Sequence, residues 1–375
     1  MKKAILFMDT PEYTATYEEL KSKFLLVNYS FPKSLTKDQD KQKHFIEFVD
    51  TQFDYSNGIE LVGIYAGYRA FLTLEDGLTE ELIMASPNLQ HLQMVTLCSR
   101  GINKLPLDFF KSKGVVLTNY DDADNYVAND VADCAMWHVM EGFRKFSFQQ
   151  HIFKKFDNVL DARCKIRGDA VLDEKFAFGH ELSHHNSKAL SPMNKKVLVL
   201  GFGKIAQTLC LKLKLGLNMD VYYSTRSGES IEGKKQGFKY FPWKQWEADT
   251  TNPSETKNNE PSLDMFDCIV NCLPGTKDTL HLIDKNFLQN CCPLNNLILV
   301  NVGRGNIFDL HVINDHAKDF RHLGLDVFYK EPLLLEFPQM LYENSTMTPH
   351  IGSSTDSCFL GASEYCLKKL LTLSA

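Results

Sequence analysis

The residues best suited to chemistry begin at an apolar run, Lys195 to Leu200. Gly201-Phe202-Gly203-Lys204-Ile205-Ala206 follows directly, and Leu209, Leu213 and Leu217 continue at helical spacing. In this strand, turn and helix setting the pattern G-x-G-x-x-A has a mechanical reading. Gly201 permits a tight turn, Gly203 lets the backbone approach a pyrophosphate, and Ala206 keeps the helix close to the strand. The N–H groups at the helix start, at Lys204 and Ile205, would then face an anion, stabilised by the helix dipole. A dinucleotide is therefore expected. The next strand, beginning at Asp220, ends in Ser224-Thr225-Arg226, where a carboxylate would select a free ribose 2'-hydroxyl. Two hydroxyls and a guanidinium suit a 2'-phosphate instead, so NADP(H) is expected ahead of NAD(H), with NAD(H) still possible. Asp220 stands before the body of that strand rather than after it and is expected to be a solvated loop residue.

Three later strand ends carry Arg304 between two glycines, Glu331 before a proline, and His350 after Thr348-Pro349. Ligands of open parallel sheets bind at the carboxyl ends of strands, so these side chains could converge there. Taken singly, each has an ordinary reading: a turn-stabilising arginine, a surface carboxylate, a packing histidine. Taken together, Asn301-Val302-Gly303-Arg304-Gly305, Asp326-Val327-Phe328-Tyr329-Lys330-Glu331-Pro332 and Thr348-Pro349-His350-Ile351-Gly352 resemble the D-isomer-specific 2-hydroxyacid dehydrogenase family. Leu273-Pro274-Gly275-Thr276 running to Ile283 and the stretches Ser99 to Asn103 and Gly114 to Asn119 are similar to family segments in the same order.

The resemblance implies reduction of a small 2-oxo acid to its D-2-hydroxy acid, with glyoxylate or hydroxypyruvate as substrates. It implies that Arg304 binds the substrate carboxylate and polarises the carbonyl, and that His350 gives or takes the proton. Glu331 would hydrogen-bond the other imidazole nitrogen, and Asp326 would lie near the nicotinamide. Leu273, Pro274, Thr279, Val302 and Gly352 fall to the dinucleotide by the same resemblance. Ala66-Gly67-Tyr68 stands where family members offer backbone N–H groups to the substrate carboxylate. A homodimer and a cleft that closes before hydride transfer are implied too. Departures at Ser99-Arg100-Gly101, Asn103 and Asp133 bear on the substrate more than on the reaction.

The elements that must position these groups follow from short apolar runs. Ala4–Met8, Phe24–Val27, Ile59–Ala66, Leu92–Leu97 and Val115–Thr118 are separated by helical or loop-like stretches, which indicates a parallel sheet covered by helices. Residues 125–146 carry apolar side chains at mixed three- and four-residue steps, as one long helix would. A second series of strands starts at Lys195. The expected fold is α/β with two doubly wound parallel-sheet domains, a Rossmann nucleotide-binding domain (126–351) inserted into a flavodoxin-like substrate domain (1–125 and 352–375). Thr251 to Pro261 reads as a surface loop.

Composition narrows the alternatives. A chain of 375 residues with 44% hydrophobic side chains, 21 glycines and 13 prolines is an ordinary folded protein. Its 41 basic and 47 acidic groups leave a charge of -6 without like-charged blocks, so no nucleic acid or anionic membrane partner is expected. The ten cysteines show no C-x-x-C pairs and read as reduced core thiols, Cys268, Cys272, Cys291 and Cys292 among them. Met1 to Tyr13 lacks a secretory apolar core, no run is long enough to span a bilayer, and a cytoplasmic protein is expected. His180-Glu181-Leu182-Ser183-His184 matches H-E-x-x-H, but no helical periodicity surrounds it and no metal site is expected. The alternative function is a catalytically weak, dinucleotide-sensing paralogue resembling the co-repressors of this fold.

Overall fold

The computed structural model describes residues 1–68, 71–99, 102, 105–166, 189–243, 261–331 and 344–374. The H-E-x-x-H segment, Arg100, Gly101, Asn103 and all but the last residue of the 251–261 stretch lie outside the described residues. The chain divides into two compact units, Met1–Tyr126 with Ser354–Ala375, and Val127–Ser353.

In the first unit, β1 (Lys2–Phe7), α1 (Ala15–Lys23), β2 (Leu25–Asn28), α2 (Asp38–Gln52), β3 (Ile59–Gly67), α3 (Glu80–Met84), β4 (Met94–Leu97), α4 (Leu107–Lys113) and β5 (Val116–Asn119) alternate along the chain. The five strands pair in the order β2-β1-β3-β4-β5, all parallel. That is the flavodoxin-like winding. Parallel strands covered on both faces must be apolar along their length, and Ala4, Ile5, Leu6, Leu61, Val62, Ile64 and Val95 are fully buried. The apolar runs in the sequence foretell each strand to within two residues at either end.

The second unit starts with α5 (Tyr126–Arg144), α6 (Phe146–Phe153) and α7 (Val159–Ile166). The helix expected over 125–146 ends at Arg144, because Lys145 turns into the left-handed region at φ 53°. There follow β6 (Lys196–Leu200), α8 (Lys204–Leu217), β7 (Asp220–Ser224), α9 (Ile231–Lys235), β8 (Lys239–Tyr240), β9 (Cys268–Asn271), α10 (Lys285–Gln289), β10 (Ile298–Asn301), α11 (Leu310–His316), β11 (His322–Leu325) and β12 (Ser345–Met347). Seven parallel strands pair in the order β12-β11-β10-β9-β6-β7-β8. The winding reverses between β6 and β9, which opens a crevice at their carboxyl ends. Val197, Val199, Val270, Ile298 and Val300 meet α5 and α8 on one face, while Leu198, Ile269, Leu299 and Leu323 meet Phe266, Phe287 and Ile313 on the other.

The last helix, α12 (Asp356–Leu370), returns to the first unit. Thr355 caps it by accepting the Cys358 N–H, and its buried face carries Ala362, Cys366, Leu367 and Leu370. Ser363 of this helix accepts the Glu12 N–H at 2.8 Å and the Tyr65 hydroxyl at 3.1 Å, so α12 ties the strand ends of β1 and β3 together. None of the described helices is long and apolar enough to cross a membrane.

Candidate active site

The crevice between β6 and β9 holds a cavity of about 300 Å³ lined by Gly201, Phe202, Gly203, Thr225, Arg226, Cys272, Leu273, Pro274, Thr276 and Thr279. Gly201 turns the chain at φ 94°, a conformation glycine adopts without strain. Gly203 is the N-cap of α8 and offers no side-chain cap, so the helix start opens toward the cavity that Gly203 lines. A Cβ added at Gly203 would meet nothing within 4 Å, which leaves room for a bulky anion at that helix start. These features fit the pyrophosphate of a dinucleotide. Lys204 and Ile205 open α8 behind that turn, and neither lines the cavity.

At the adenosine end the structure narrows the sequence reading. Thr225 and Arg226 line the cavity, and the Arg226 guanidinium pairs with the Asp278 carboxylate on the loop after β9. Ser224 departs from expectation: it is fully buried, its hydroxyl has no hydrogen-bond partner, and it does not line the cavity. As the last residue of β7 it alternates with Tyr223 and points into the sheet packing. Asp220 is not a loop residue either. It opens β7 and pairs with Lys239 at 2.8 Å, at the strand end remote from the turn.

Cys272 and Thr276 are cavity residues that sequence reasoning missed, Cys272 having been assigned to the core. Burial pushes the Cys272 thiol up to about 12, so it presents a neutral S–H. The Thr279 hydroxyl donates to the Pro274 carbonyl at 2.7 Å and accepts the Thr276 N–H at 2.8 Å, which folds the 273–279 loop on itself. A buried amide pair then joins this loop to the next one. Asn271 donates to the Asn301 side chain at 2.8 Å and accepts the Leu273 N–H at 3.2 Å, while Asn301 donates to the Arg304 carbonyl at 3.0 Å. Val302, just past β10, donates its N–H to the Asn271 carbonyl at 3.1 Å.

Arg304, Glu331 and His350 follow β10, β11 and β12 respectively. Their strands are neighbours, so their loops emerge side by side. Gly305 allows the Arg304 turn to press on the next loop: a Cβ there would lie 1.9 Å from the Phe328 carbonyl carbon. Arg304 donates from Nη1 to the Gly303 carbonyl at 2.7 Å. The His350 Nδ1 and Glu331 Oε2 are 2.8 Å apart, and Glu331 Oε1 accepts the Phe328 N–H at 3.1 Å. Both side chains are roughly half exposed, at 50% and 39%.

The charges of these groups are coupled. The hydrogen bond to Glu331 raises the His350 pKa above its usual 6.5; burial opposes the rise, the carboxylates of Glu331 and Asp326 add to it, and Arg304 works against it. Burial alone would raise the Glu331 carboxyl, but the His350 hydrogen bond and charge, the Phe328 N–H and the Arg304 charge bring it below its usual 4.5. The pair therefore favours an imidazolium beside a carboxylate. His350 itself sits at φ 55°, a left-handed conformation uncommon for a residue with a side chain. Asp326 holds that turn by accepting the Ile351 N–H at 2.9 Å and the Gly352 N–H at 3.0 Å.

In the first unit, Ala66 is fully buried near the end of β3, and Gly67 turns there at φ 63°. The Tyr68 N–H, one of the donors expected for a substrate carboxylate, is taken by Asp9 Oδ2 at 3.0 Å. Among the described residues no group of three or more His, Cys, Asp or Glu side chains could hold a metal ion.

Two parallel α/β sheets, one with a dinucleotide turn at its switch point, define a class of dinucleotide-binding α/β proteins. Residues 170–352 match the NAD binding domain of the D-isomer specific 2-hydroxyacid dehydrogenases. The chain is 37% identical over 386 residues to the Saccharomyces cerevisiae protein called "Putative 2-hydroxyacid dehydrogenase", covering 99% of this chain and 93% of that one. It is 28% identical over 270 residues to the glyoxylate reductase of Pyrococcus furiosus, covering 72% of this chain and 68% of that one. The holo crystal structure of Rhodotorula graminis D-mandelate dehydrogenase shares the fold with a TM-score of 0.73 at 19% identity, over 98% of this chain and 93% of that one. The chain belongs to the D-isomer specific 2-hydroxyacid dehydrogenase family. It is an NAD(P)-linked 2-hydroxyacid dehydrogenase.

Proposed function

We propose that the enzyme reduces a small 2-oxo acid, glyoxylate or hydroxypyruvate, to the corresponding 2-hydroxy acid, the D isomer where that product is chiral, with NADPH in preference to NADH. The observation that carries this reading is the His350–Glu331 pair at 2.8 Å with Arg304 close enough to influence both charges. The name of the Pyrococcus furiosus relative supports the substrate class. When bound, the dinucleotide supplies the hydride that reaches the substrate's carbonyl carbon. Arg304 holds the substrate carboxylate with its planar fork and draws electron density onto the carbonyl oxygen. With Nδ1 engaged by Glu331, His350 delivers its proton from Nε2 to that oxygen, and in alcohol oxidation takes it back. Glu331 fixes the ring and stabilises its protonated form. Gly201, Gly203 and the backbone N–H groups of Lys204 and Ile205 face the pyrophosphate, and Leu273, Pro274, Thr279, Val302, Asp326 and Gly352 border the rest of the dinucleotide.

Initial rates with NADPH and NADH, measured in parallel against glyoxylate, hydroxypyruvate, pyruvate and longer 2-oxo acids, test the reading. Turnover of a two- or three-carbon acid with NADPH is expected. Tight NADPH binding without reduction of any acid would overturn it in favour of a sensing role.

The cofactor preference rests on Thr225 and Arg226 at the adenosine end. Arg226→Ala is expected to raise the NADPH dissociation constant by roughly tenfold, as loss of a charge-assisted contact does. The NADH constant should change by less than about twofold, because no phosphate is there to lose. Fluorescence titration of both reads the difference, and equal losses would remove Arg226 from the phosphate site.

A further inference from the structure

Behind the loop that carries His350, the second unit buries a row of polar side chains that the reaction as described does not use. Lys145, His322, Thr346, His138, Thr348 and Asp326 succeed one another, and four of them, Lys145, His322, His138 and Asp326, are at most 5% exposed. The separations are 3.4 Å from Lys145 Nζ to His322 Nδ1, 2.8 Å from His322 Nε2 to Thr346 Oγ1 and 2.7 Å from Thr346 Oγ1 to His138 Nδ1. From His138 Nε2 to Thr348 Oγ1 the distance is 3.1 Å, and from Thr348 Oγ1 to Asp326 Oδ1 it is 2.7 Å.

The protons in this row have one consistent arrangement. The Thr348 hydroxyl donates its single proton to Asp326 Oδ1, so it must accept from His138 Nε2–H. Burial pushes the His138 pKa down to about 4, so its Nδ1 is bare and accepts the Thr346 hydroxyl. Thr346 in turn accepts from His322 Nε2–H. His322 is held neutral by burial and by the charge of Lys145, and its Nδ1 faces the Lys145 amino group. Lys145 also donates to the Arg321 carbonyl at 2.9 Å. Every donor therefore points toward Asp326, and hydrogen bonds aligned in one sense polarise one another.

The fold builds the row deliberately enough to need a glycine. His138 projects from α5 onto Gly324 of β11, where an added Cβ would lie 2.8 Å from the His138 Cβ. Gly324 pairs with Thr346 in the sheet, and Thr346 and Thr348 share one strand face. Apolar side chains of equal volume would fill this space at no loss of stability, so stability alone is a weak reason for the row. Its far end supplies a better one. Asp326 accepts the two N–H groups that keep the His350 turn left-handed.

We propose that His138 is a positioning residue for proton transfer: through Thr348 it fixes the Asp326 carboxylate, and Asp326 fixes the His350 turn against Glu331. This rests on the reading of His350 as the acid–base group. Among the described residues, the charged groups that face His350 are Glu331, Asp326 and Arg304, and of these the row reaches Asp326.

The test uses the full chain with 15N-labelled histidine, followed by NMR without dinucleotide, and kinetics with NADPH and the best 2-oxo acid. In the unsubstituted protein His138 and His322 should both be neutral Nε2–H tautomers. His138→Leu keeps bulk and breaks the row; Thr348→Val breaks its last link in a nearly isosteric side chain, and serves if the leucine variant does not fold. Either should lower the His350 titration by about half a unit or more, since a displaced Asp326 no longer favours the imidazolium. Either should also lower kcat by about tenfold to a hundredfold. His138→Gln, which offers a carbonyl to Thr346 and an N–H to Thr348, should recover most of both. An unmoved His350 titration in folded His138→Leu or Thr348→Val, or a glutamine variant no better than leucine, overturns the proposal. Failure of the acid–base reading is distinguishable, because it shows as retained turnover in His350→Ala whatever the histidine spectra do.

Discussion

With alanine at position 350, reduction of the 2-oxo acid falls by about a thousandfold, while NADPH binds as before. On the proposed reading of His350, the rate loss follows from removing the group that protonates the forming alkoxide. The unchanged binding follows from where His350 lies, since it lines no part of the dinucleotide cavity. The pH dependence carries a sign that separates this role from a structural one. Reduction needs the imidazolium, so its rate is full below the His350 pKa and declines as pH rises through it. Glu331 places that pKa above 6.5, hence the decline begins later than an isolated histidine would allow. Glu331→Gln removes the carboxylate charge and moves the decline to lower pH. Oxidation of the D-2-hydroxy acid needs the neutral ring and shows the opposite limb. Rate–pH profiles in both directions check this, and a His350→Ala enzyme with undiminished turnover would remove the residue from proton transfer.

Arg304→Lys is the second change with a large effect. A lysine keeps the positive charge but loses the planar fork that meets a carboxylate through two parallel bonds. It also lacks the N–H that Arg304 commits to the Gly303 carbonyl at 2.7 Å, a contact that orients the guanidinium along its own turn. A drop in kcat/KM of about a hundredfold to a thousandfold is expected, the range seen when one preorganised donor to a developing oxyanion is removed. Carboxylate binding and carbonyl polarisation leave different traces. Loss of the first raises KM, loss of the second lowers kcat, and the proposed double role requires both. A variant with normal kcat/KM would assign the substrate carboxylate to another group.

Much of the fold is legible in the sequence because buried parallel strands are short apolar runs ended by turn formers. Ile59 to Gly67 and Lys196 to Leu200 are of this kind, and Gly201 and Gly203 mark where the second of them must turn. Strand β8, two residues long, leaves no such signature, and it pairs only because β7 already presents Tyr222 and Tyr223 to it. Ser224 fails for a different reason. The motif gives its position along the chain, but the phase of strand alternation decides whether its hydroxyl meets a ligand or the sheet. The Asn271–Asn301 clamp and the His138 row are illegible for a third reason, since each joins residues brought together by strand pairing or by the seating of α5. Asn301 could have been suspected: it ends an otherwise apolar strand, and a fully buried amide must find partners.

The return of α12 to the first unit has a consequence for synthesis. Strands β1 to β5 leave the ribosome before the second unit, yet the helix that supplies Ser363, Cys366 and Leu370 to them is made after it. The 227 residues of the second unit, Val127 to Ser353, are translated in between. At about 5 to 20 residues per second this takes roughly ten to forty-five seconds. Throughout that interval the nascent first sheet lacks part of its cover, and by its end the second unit has every strand it needs. The nucleotide-binding unit can thus mature before the unit that precedes it in the chain, and the nascent first sheet is the surface a chaperone would need to shield.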